Sequence, residues 1–225
     1  MLDHKINALE TELTRIASVH RVALASSLSR EDQIIVDVVA RLGLPIAVFT
    51  LNTGRLHQDT LDVVKATQRR YGLTIDLIEP VKESVLHYVH GYGENAFYDS
   101  VELRKACCNI RKVEPLRCAL KGRAGWITGQ RQGQSTTRSA LASQERDTVH
   151  GMQKFNPLAQ WTVSDVSAYI QRYAVPVNAL HAKGYPSIGC EPCTRAIKAG
   201  EDDRAGRWWW ENADSKECGL HVKAA

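Results

Sequence analysis

The sequence predicts an α/β fold, in which a parallel β-sheet carries helices on both of its faces. Short apolar segments alternate with helical patterns over the first half of the chain, and this alternation is typical of βαβ units. Two of the apolar segments end in hydroxyl-rich turns, and folds of this class bind ligands beyond the carboxyl ends of their strands. Because 225 residues suffice for one well-buried core, we expect a single domain over residues 1–225.

The first half of the chain supplies the alternation. An amphipathic helix is predicted near residues 4–18, because apolar residues recur there at helical spacing. Residues 21–25 are short and apolar and predict a buried strand, which leads through a serine turn into a helix at 31–40 with acids in its first turn. The pattern then repeats, with predicted strands at 45–51 and 74–78 and a helix at 57–70.

The second half of the chain is less regular. Residues 81–123 are predicted to be mostly helical, and an apolar strand at 125–129 is followed by a polar loop at 130–138. A helix is expected at 163–172, with three apolar side chains facing inward: Val163, Val166 and Ile170.

The C-terminal part of the chain differs in composition from the rest. It is rich in cysteine, tryptophan, glycine and charge, and residues 212–225 carry few core-forming side chains. We therefore expect an α/β core over residues 1–187, followed by a segment at 188–225 that ends in a mobile tail.

Composition excludes several classes of protein. A net charge of +4 with dispersed basic residues does not require nucleic acid, and no nucleic-acid partner is expected. No apolar run approaches the roughly 20 residues of a membrane helix, and no secretory signal pattern opens the chain. We therefore expect a cytoplasmic protein without a membrane partner, where six cysteines favour metal or catalytic thiols over disulfides.

Four cysteines are candidate metal ligands. Adjacent cysteines lie beside a concentration of positive charge, which favours thiolates, and a C-x2-C pair follows much later. Adjacent ligands suit a cluster, because each cysteine can bind its own iron, and we interpret the set as ligands of one 4Fe-4S cluster. A four-cysteine zinc site, and free thiols or disulfides, remain as alternatives. The proposed ligands are Cys107, Cys108, Cys190 and Cys193.

The two hydroxyl-rich turns are candidate anion and nucleotide sites. Ser26, Ser27 and Ser29 lie between a strand and a helix start, where amides and hydroxyls can surround an anion, although Ser29 could simply cap the helix. The second turn, Leu51 to Gly54, could place backbone amides against a nucleotide, although its spacing by itself favours a plain turn.

Arginines and one isolated cysteine complete the candidates. Arg131 and Arg138 belong to a donor-rich loop suited to phosphate or sulfate, which could instead be a solvated surface loop. Arg204 and Arg207 precede three tryptophans and could clamp an anion or simply pack against the rings. Cys218 lies between a lysine and a histidine and could be a nucleophile or an inert exposed thiol.

The sixth cysteine is expected to have no chemical role. Cys118 lies among apolar neighbours at helical spacing, so it is predicted to be a buried small hydrophobic residue.

Taken together in this order, these motifs resemble the assimilatory sulfonucleotide reductases, specifically the iron–sulfur adenylyl-sulfate (APS) reductases that use thioredoxin. The resemblance runs from about residue 20 to the end of the chain. It is carried by residues 27–32, Leu51-Asn52-Thr53-Gly54-Arg55-Leu56, Cys107-Cys108 with 111–116, 126–131 with 134–135, Cys190-Glu191-Pro192-Cys193, Gly206-Arg207-Trp208-Trp209-Trp210 and Glu217-Cys218-Gly219-Leu220-His221.

The resemblance implies a fold, a cofactor and a reaction. The fold would be a Rossmann-like parallel sheet of the adenine-nucleotide alpha-hydrolase type, and the cofactor one 4Fe-4S cluster with a structural and electrostatic role. Cys218 would attack the sulfur of APS, expel AMP and become an S-sulfocysteine, from which thioredoxin would release sulfite during sulfate assimilation and cysteine biosynthesis.

The resemblance also implies roles for individual residues. The serine turn and Leu51, Thr53 and Gly54 would contact the nucleotide, and Lys112 would lie between cluster and substrate. Arg204 and Arg207 would hold the phosphate–sulfate end of APS. Glycine is usual in relatives where this chain has Ser29, and aspartate is usual where it has Asn52. The chain therefore departs from the family's pattern at these two positions.

Three other functions stay open at this point. Reduction of 3′-phosphoadenylyl sulfate (PAPS), alone or together with APS, is the nearest alternative. A cluster-containing, nucleotide-activating tRNA-modifying enzyme and a non-enzymatic metal-binding module are further alternatives. The sequence leaves the oligomeric state open and allows a homo-oligomer.

Overall fold

The structure is a computed structural model that describes residues 2–134, 140–212 and 220. Its six-stranded sheet has the order β3-β2-β1-β4-β6-β5, and all neighbouring strands are parallel except β5 and β6, which are antiparallel. The elements are α1 (Leu2–Val19), β1 (Val22–Ala25), α2 (Arg30–Arg41), β2 (Ala47–Leu51), α3 (Gln58–Tyr71), β3 (Ile75–Ile78), α4 (Lys82–Tyr92), α5 (Val101–Cys108), α6 (Glu114–Leu120), β4 (Gly125–Ile127), β5 (Gln144–Asp147), β6 (Met152–Phe155) and α7 (Val163–Tyr173).

The predicted α/β fold is confirmed. The helices and strands predicted up to residue 78 are present within a few residues of their expected bounds, and β4 and α7 are present as well. The strands β1, β2 and β4 are short and apolar because helices cover both faces of the sheet. No helix in the described part of the chain is both long and apolar enough to cross a lipid bilayer.

Side chains that alternate along the strands divide the interior into two cores. The larger core lies under α1, α2, α3 and α7. The smaller core lies on the other face under α6 and contains Ala23, Phe49, Leu116, Leu120 and Trp126. The carboxyl ends of β1, β2 and β4 therefore emerge between two packed layers, and the turns that follow them share one edge of the sheet.

Two expectations were wrong, and one hairpin was not predicted. Val163 is 53 % exposed, and Tyr169 is fully buried in its place, because the apolar stripe of α7 is rotated toward the larger core. Cys118 is exposed and does not pack as a small core residue, since the inward face of α6 is formed by Leu116 and Leu120. The β5–β6 hairpin was not anticipated at all.

The helix α2 is the most deeply packed helix, since residues 31–39 are all buried. Its Asp37 is 1 % exposed and accepts three hydrogen bonds from other side chains. Tyr169 Oη donates to Oδ2 at 2.6 Å, Tyr71 Oη to Oδ1 at 2.8 Å, and Arg41 Nε to Oδ2 at 2.9 Å. Burial, and next the bond to Asp37, raise the pKa of Tyr169, so this hydroxyl stays a donor. Asp37 thus joins α2, α3 and α7.

We predict that Asp37→Ala destabilises the fold by about 3 kcal/mol, because it leaves two buried hydroxyls and a guanidinium without their acceptor. Urea unfolding followed by circular dichroism measures this loss. Asp62→Ala is the matched control, since the Asp62 side chain is 60 % exposed, and it should change stability by less than about 0.5 kcal/mol. Equal effects from the two variants would show that Asp37 does not join the helices.

Candidate active site and cysteine cavity

One cavity of about 260 Å³, called here the main cavity, opens at the carboxyl ends of β1, β2 and β4. Gly54 does not reach its wall, and Arg138 lies outside the described residues. The other residues predicted to bind substrate all line it: Ser26, Ser27, Ser29, Leu51, Thr53, Lys112, Arg131, Arg204 and Arg207. The structure therefore brings together side chains that are up to 181 positions apart in the sequence (Ser26 to Arg207).

The serine turn forms one end of the main cavity. Leu28 adopts a left-handed conformation with φ of 63°, and its N–H donates to Ser26 Oγ at 3.1 Å. Ser29 occupies the N-cap position of α2, but its side chain makes no capping hydrogen bond and lies 2.8 Å from Ser27 Oγ. Simple capping by the Ser29 side chain is therefore wrong, and both hydroxyls remain on the wall of the cavity.

A buried carboxylate holds this turn in place. Asp32 Oδ2 accepts from Ser27 N at 2.7 Å and from Ser27 Oγ at 2.6 Å, while Oδ1 accepts from Gly129 N at 2.9 Å. A Cβ on Gly129 would lie 2.4 Å from Oδ1, so this close approach requires glycine. Burial, opposed by the bonds from Ser27, raises the pKa of Asp32 to about 6. Asp32 therefore ties the turn after β1 to the turn after β4.

Sequence reasoning missed Asp32 as a site residue. Its position in the first turn of a helix indicates where the helix begins, and the motif at residues 27–32 contains Asp32 without giving it a role. The signal that could have found it is its distance of three to five residues from a serine turn at the end of a strand.

The predicted donor loop contains an arginine that is already paired. Arg131 Nε donates to Glu31 Oε1 at 2.7 Å, and the two side chains are only 7 % and 10 % exposed. Arg131 Nη1 also donates to Trp161 O at 3.3 Å. Glu31 and Arg131 both line the main cavity. This ion pair therefore shapes the wall but adds little net charge to it.

The opposite wall is formed by the C-terminal segment. The Arg207 guanidinium lies 4.5 Å from the centre of the Trp208 ring and donates from Nη1 to Ile188 O at 3.3 Å. A Cβ on Gly189 would lie 2.4 Å from Arg207 Nη2, so the backbone packs directly against this guanidinium. Two of the three tryptophans have clearly different environments. Trp208 is 1 % exposed and lines the main cavity, whereas Trp209 is 40 % exposed.

A second cavity, called here the cysteine cavity, has a volume of about 20 Å³ and is lined by all four predicted metal ligands. Cys107 and Cys108 end α5, and a π-helical turn, Asn109–Val113, follows at once. Such wide turns recur at functional sites, and this one buries Arg111 and Lys112 beside the cysteines. Cys190 and Cys193 are held by the short 3₁₀ turn Glu191–Cys193.

The cations around this cavity act on the thiols unequally. Burial alone would raise the pKa of Cys190, but Lys112 and a hydrogen bond with Thr53 outweigh it, so the pKa of Cys190 lies below its usual range. Burial raises the pKa of Cys107, and it raises that of Cys193 to about 12. Of these three thiols, Cys190, which also lines the main cavity, is the one whose pKa is lowered.

The cysteine cavity has the donor chemistry of an iron–sulfur site. Its four cysteines are all free thiols, and the cations Arg104, Arg111 and Lys112 on its wall compensate negative charge. Within the described ranges, no three His, Cys, Asp or Glu side chains form a group that could hold a metal ion. The four predicted ligands line this one cavity, and their thiols with the surrounding cations suit the donor chemistry of a cluster, which stays a prediction.

The two cavities share a wall. Lys112 and Cys190 line both of them. Thr53 Oγ1 lies 3.3 Å from Cys190 Sγ, and Arg111 Nη1 donates to Thr53 O at 2.7 Å, which fixes the turn after β2 against the cysteine cavity. Gly54, with φ of 70°, belongs to this turn but does not line the main cavity.

Comparison with known proteins fits this arrangement. The model of the phosphoadenosine phosphosulfate reductase domain matches residues 21–196, which is most of the chain. The chain belongs to this family. It is accordingly an enzyme, an oxidoreductase acting on a sulfur group, as the sequence predicted.

Two curated relatives are similar over most of their length. The adenosine 5′-phosphosulfate reductase of Burkholderia cepacia is 54 % identical over 219 residues, which cover 97 % of this chain and 88 % of that protein. The adenosine 5′-phosphosulfate reductase of Allochromatium vinosum is 50 % identical over 200 residues, which cover 89 % and 78 %.

Solved structures support the fold. The phosphoadenylyl-sulfate reductase of Candida auris superposes with a TM-score of 0.70 at 26 % identity, over 87 % of this chain and 96 % of that one. The FMN adenylyltransferase of Candida glabrata gives a TM-score of 0.58 at 11 % identity, over 89 % of this chain and 68 % of that one, and shows a shared fold only. The predicted Rossmann-like class is confirmed.

The predicted nucleophile lies beyond the described part of this family member. Cys218 falls within residues 213–219, outside the described ranges, as does the segment 221–225. Leu220 is described, lines the main cavity and packs against the smaller core.

We predict that Asp32 makes stability depend on pH. Its pKa of about 6 exceeds the ordinary value of 3.8, so the folded chain binds this proton more tightly than the unfolded chain does. Lowering the pH from about 8 to about 5 should therefore stabilise the wild type relative to Asp32→Asn by about 1.4 kcal/mol. Urea unfolding at each pH measures the difference, and Asp62→Asn at the surface should show no such trend. A constant difference between wild type and Asp32→Asn contradicts the raised pKa.

Proposed function

We propose that this enzyme reduces adenylyl sulfate to sulfite and AMP in sulfate assimilation and cysteine biosynthesis. The observation that carries the proposal is the shared wall, where Lys112 and Cys190 line both the main cavity, which also carries Arg204 and Arg207, and the cavity lined by four thiols. Two relatives at 50 % identity or more are named for this reaction. Free thiols throughout the described part of the chain suit a cytoplasmic setting.

In the first step, the Cys218 thiolate attacks the sulfur atom of APS. A new S–S bond forms while the S–O bond to the phosphate breaks, so AMP leaves with that electron pair and the enzyme holds an S-sulfocysteine. Leu220, two residues after Cys218, lines the main cavity. Because two residues span at most about 7 Å, this contact supports access of Cys218 to the cavity.

In the second step, a thioredoxin-class dithiol supplies two electrons. One of its thiolates attacks Cys218 Sγ, sulfite leaves with the electron pair of the S–S bond, and a mixed disulfide remains. The second thiol of the donor then displaces Cys218, which regains its thiolate, and the donor departs as a disulfide.

The walls of the main cavity suit the two halves of the substrate. The serine turn, with the turn from Leu51 to Thr53, offers amides and hydroxyls to the nucleotide. Arg204 and Arg207 offer positive charge to the phosphate–sulfate end, which stabilises AMP as it leaves. In this proposal the core, residues 1–187, binds the nucleotide, and residues 188–225 supply the cysteine pair, the arginines and the nucleophile.

The four cysteines would hold a 4Fe-4S cluster. When bound, the cluster supplies structural support and fixed charge next to the anion site. Lys112 is 8 % exposed and lies on both cavities, so it balances the negative charge of the thiolates on one side and of the substrate on the other.

Reduction of PAPS is the second candidate, favoured by the likeness to the Candida auris phosphoadenylyl-sulfate reductase. A single-turnover incubation of anaerobically purified protein with APS or PAPS, analysed by intact mass, separates the two. We expect a sulfite-sized adduct with APS alone. An adduct from both nucleotides would mean a dual-specificity reductase, and an adduct from neither would overturn the proposed reaction.

We predict that Cys218→Ser lowers sulfite release by about a thousandfold or more and forms no adduct, because serine at this position is a far weaker nucleophile. Binding of AMP and the iron content should stay as in the wild type. Cys118→Ser is the matched control, since Cys118 is an exposed thiol outside both cavities, and it should keep full activity. Sustained turnover by Cys218→Ser removes Cys218 from the mechanism.

We predict that Cys107→Ser and Cys190→Ser each lose most of the iron and the brown colour, because a hydroxyl replaces one of four thiolate ligands. Iron per chain and visible absorbance are the measurements. Cys118→Ser again serves as the control and should retain its iron. A full iron complement in either ligand variant would refute the ligand assignment, and zinc in place of iron in the wild type would refute the cluster.

A further inference from the structure

A group of buried side chains connects the two cavities, and we call it the Arg104–Trp208 anchor. It consists of Arg104, Trp208, Arg207 and Glu211. Arg104 lies on α5 and lines the cysteine cavity, whereas Trp208 and Arg207 line the main cavity. The anchor therefore extends from one cavity to the other.

The centre of the anchor is a fully buried ion pair. Arg104 donates from Nε to Glu211 Oε1 at 2.8 Å and from Nη2 to Oε2 at 2.7 Å, and the two side chains are 0 % and 3 % exposed. This two-pronged geometry fixes both planes. The Arg104 guanidinium also lies 4.8 Å from the centre of the Trp208 ring, to which Arg207 makes a similar approach at 4.5 Å.

The backbone of Trp208 is constrained as well. Its φ is 41°, a left-handed value that a bulky side chain seldom adopts and that surrounding contacts must hold. Trp208 N donates to Cys193 O at 3.1 Å, and Glu211 N donates to Trp208 O at 2.9 Å. The ring is thus fixed by its own backbone and by Arg104.

From this geometry we infer that Arg104 and Glu211 are positioning residues for anion binding: they hold the Trp208 ring, and the ring directs the Arg207 guanidinium toward the main cavity. Two guanidinium groups that lie against one ring repel each other. Glu211 compensates the positive charge of Arg104, so Arg207 can also lie against the Trp208 ring. This inference rests on the proposed function, in which Arg207 binds the phosphate–sulfate end of the nucleotide.

A purely structural role for the ion pair leads to a different expectation. The pair would then support the binding of all ligands in the main cavity equally, whereas a positioning role affects only the binding of ligands with charge near Arg207. AMP and adenosine separate the two cases, because they share the nucleoside and differ in the phosphate. The ratio of their affinities, measured by calorimetry on the anaerobically purified full chain, is therefore the readout, with variants compared at equal iron content.

The main test variant is Arg104→Met/Glu211→Leu, which removes both charges and leaves no lone buried ion. The matched control is Arg15→Met/Glu12→Leu, which removes an exposed pair of the same two-pronged geometry on α1. Arg104→Lys is a milder second variant, which keeps the charge but loses the planar fork. Gly189→Ala is an independent variant, since its Cβ would displace the Arg207 guanidinium while leaving Arg104 and Glu211 unchanged.

We expect the double variant to bind AMP about tenfold or more weakly, with adenosine affinity unchanged within about twofold. Arg104→Lys should show a smaller loss in the same direction, and Gly189→Ala should also lower the AMP-to-adenosine ratio. The control pair should change neither affinity. If the double variant misfolds, the ratio in Arg104→Lys decides the question.

Unchanged AMP binding, or equal losses for AMP and adenosine, would overturn the inference and leave the proposed reaction intact. A wild type that binds AMP no better than adenosine would overturn the inference together with the assigned role of Arg207. These two failures are therefore distinguishable.

Discussion

The architecture of the site depends on positive charge buried between two cavities. Lys112 is 8 % exposed, and an ammonium group at such a place is costly unless negative charge lies close to it. Lys112 lowers the pKa of Cys190 and so favours a negative charge on one side. An anion in the main cavity would provide negative charge on the other. In the proposed function, one side chain would therefore couple the cysteine site to anion binding.

The local fold that places this charge is the π-helical turn, Asn109–Val113, between α5 and α6. A π-helical turn is wider than an α-helical turn, so the residues that follow are displaced relative to a regular helix. Here Cys108 ends α5, and Arg111 and Lys112 are both buried within five residues of it. Arg111 then bonds to Thr53 O at 2.7 Å, which links the π-helical turn to the end of β2.

The sequence predicted the elements whose evidence is local. The strands β1 to β4 are short apolar runs, and their neighbouring helices carry clear periodicity, so the α/β fold followed from pattern alone. The β5–β6 hairpin was missed because Gln144–Asp147 is entirely polar and becomes a strand only by pairing with Met152–Phe155. Cys118 was misassigned because apolar neighbours in a helix do not reveal which side faces the core.

Most of the predicted site residues that the structure describes line the two cavities, whereas the buried partners of these residues were not predicted. The acids that define the main cavity act across long separations in the chain: 97 positions from Asp32 to Gly129 and 100 from Glu31 to Arg131. Both pairs exist because β1 and β4 are neighbours in the sheet, although two strands intervene in the sequence. Only the strand order makes the first turn of α2 face the turn after β4.

The same reasoning applies to the C-terminal segment. Glu211 meets Arg104 across 107 positions, and its carboxylate could not be distinguished from a surface acid in the sequence. The run of three tryptophans was recognised, but which ring is buried was decided by the left-handed backbone at Trp208 and by Arg104. Motifs thus predict which groups line the cavities, whereas the buried counter-charges paired with their neighbours depend on the completed fold.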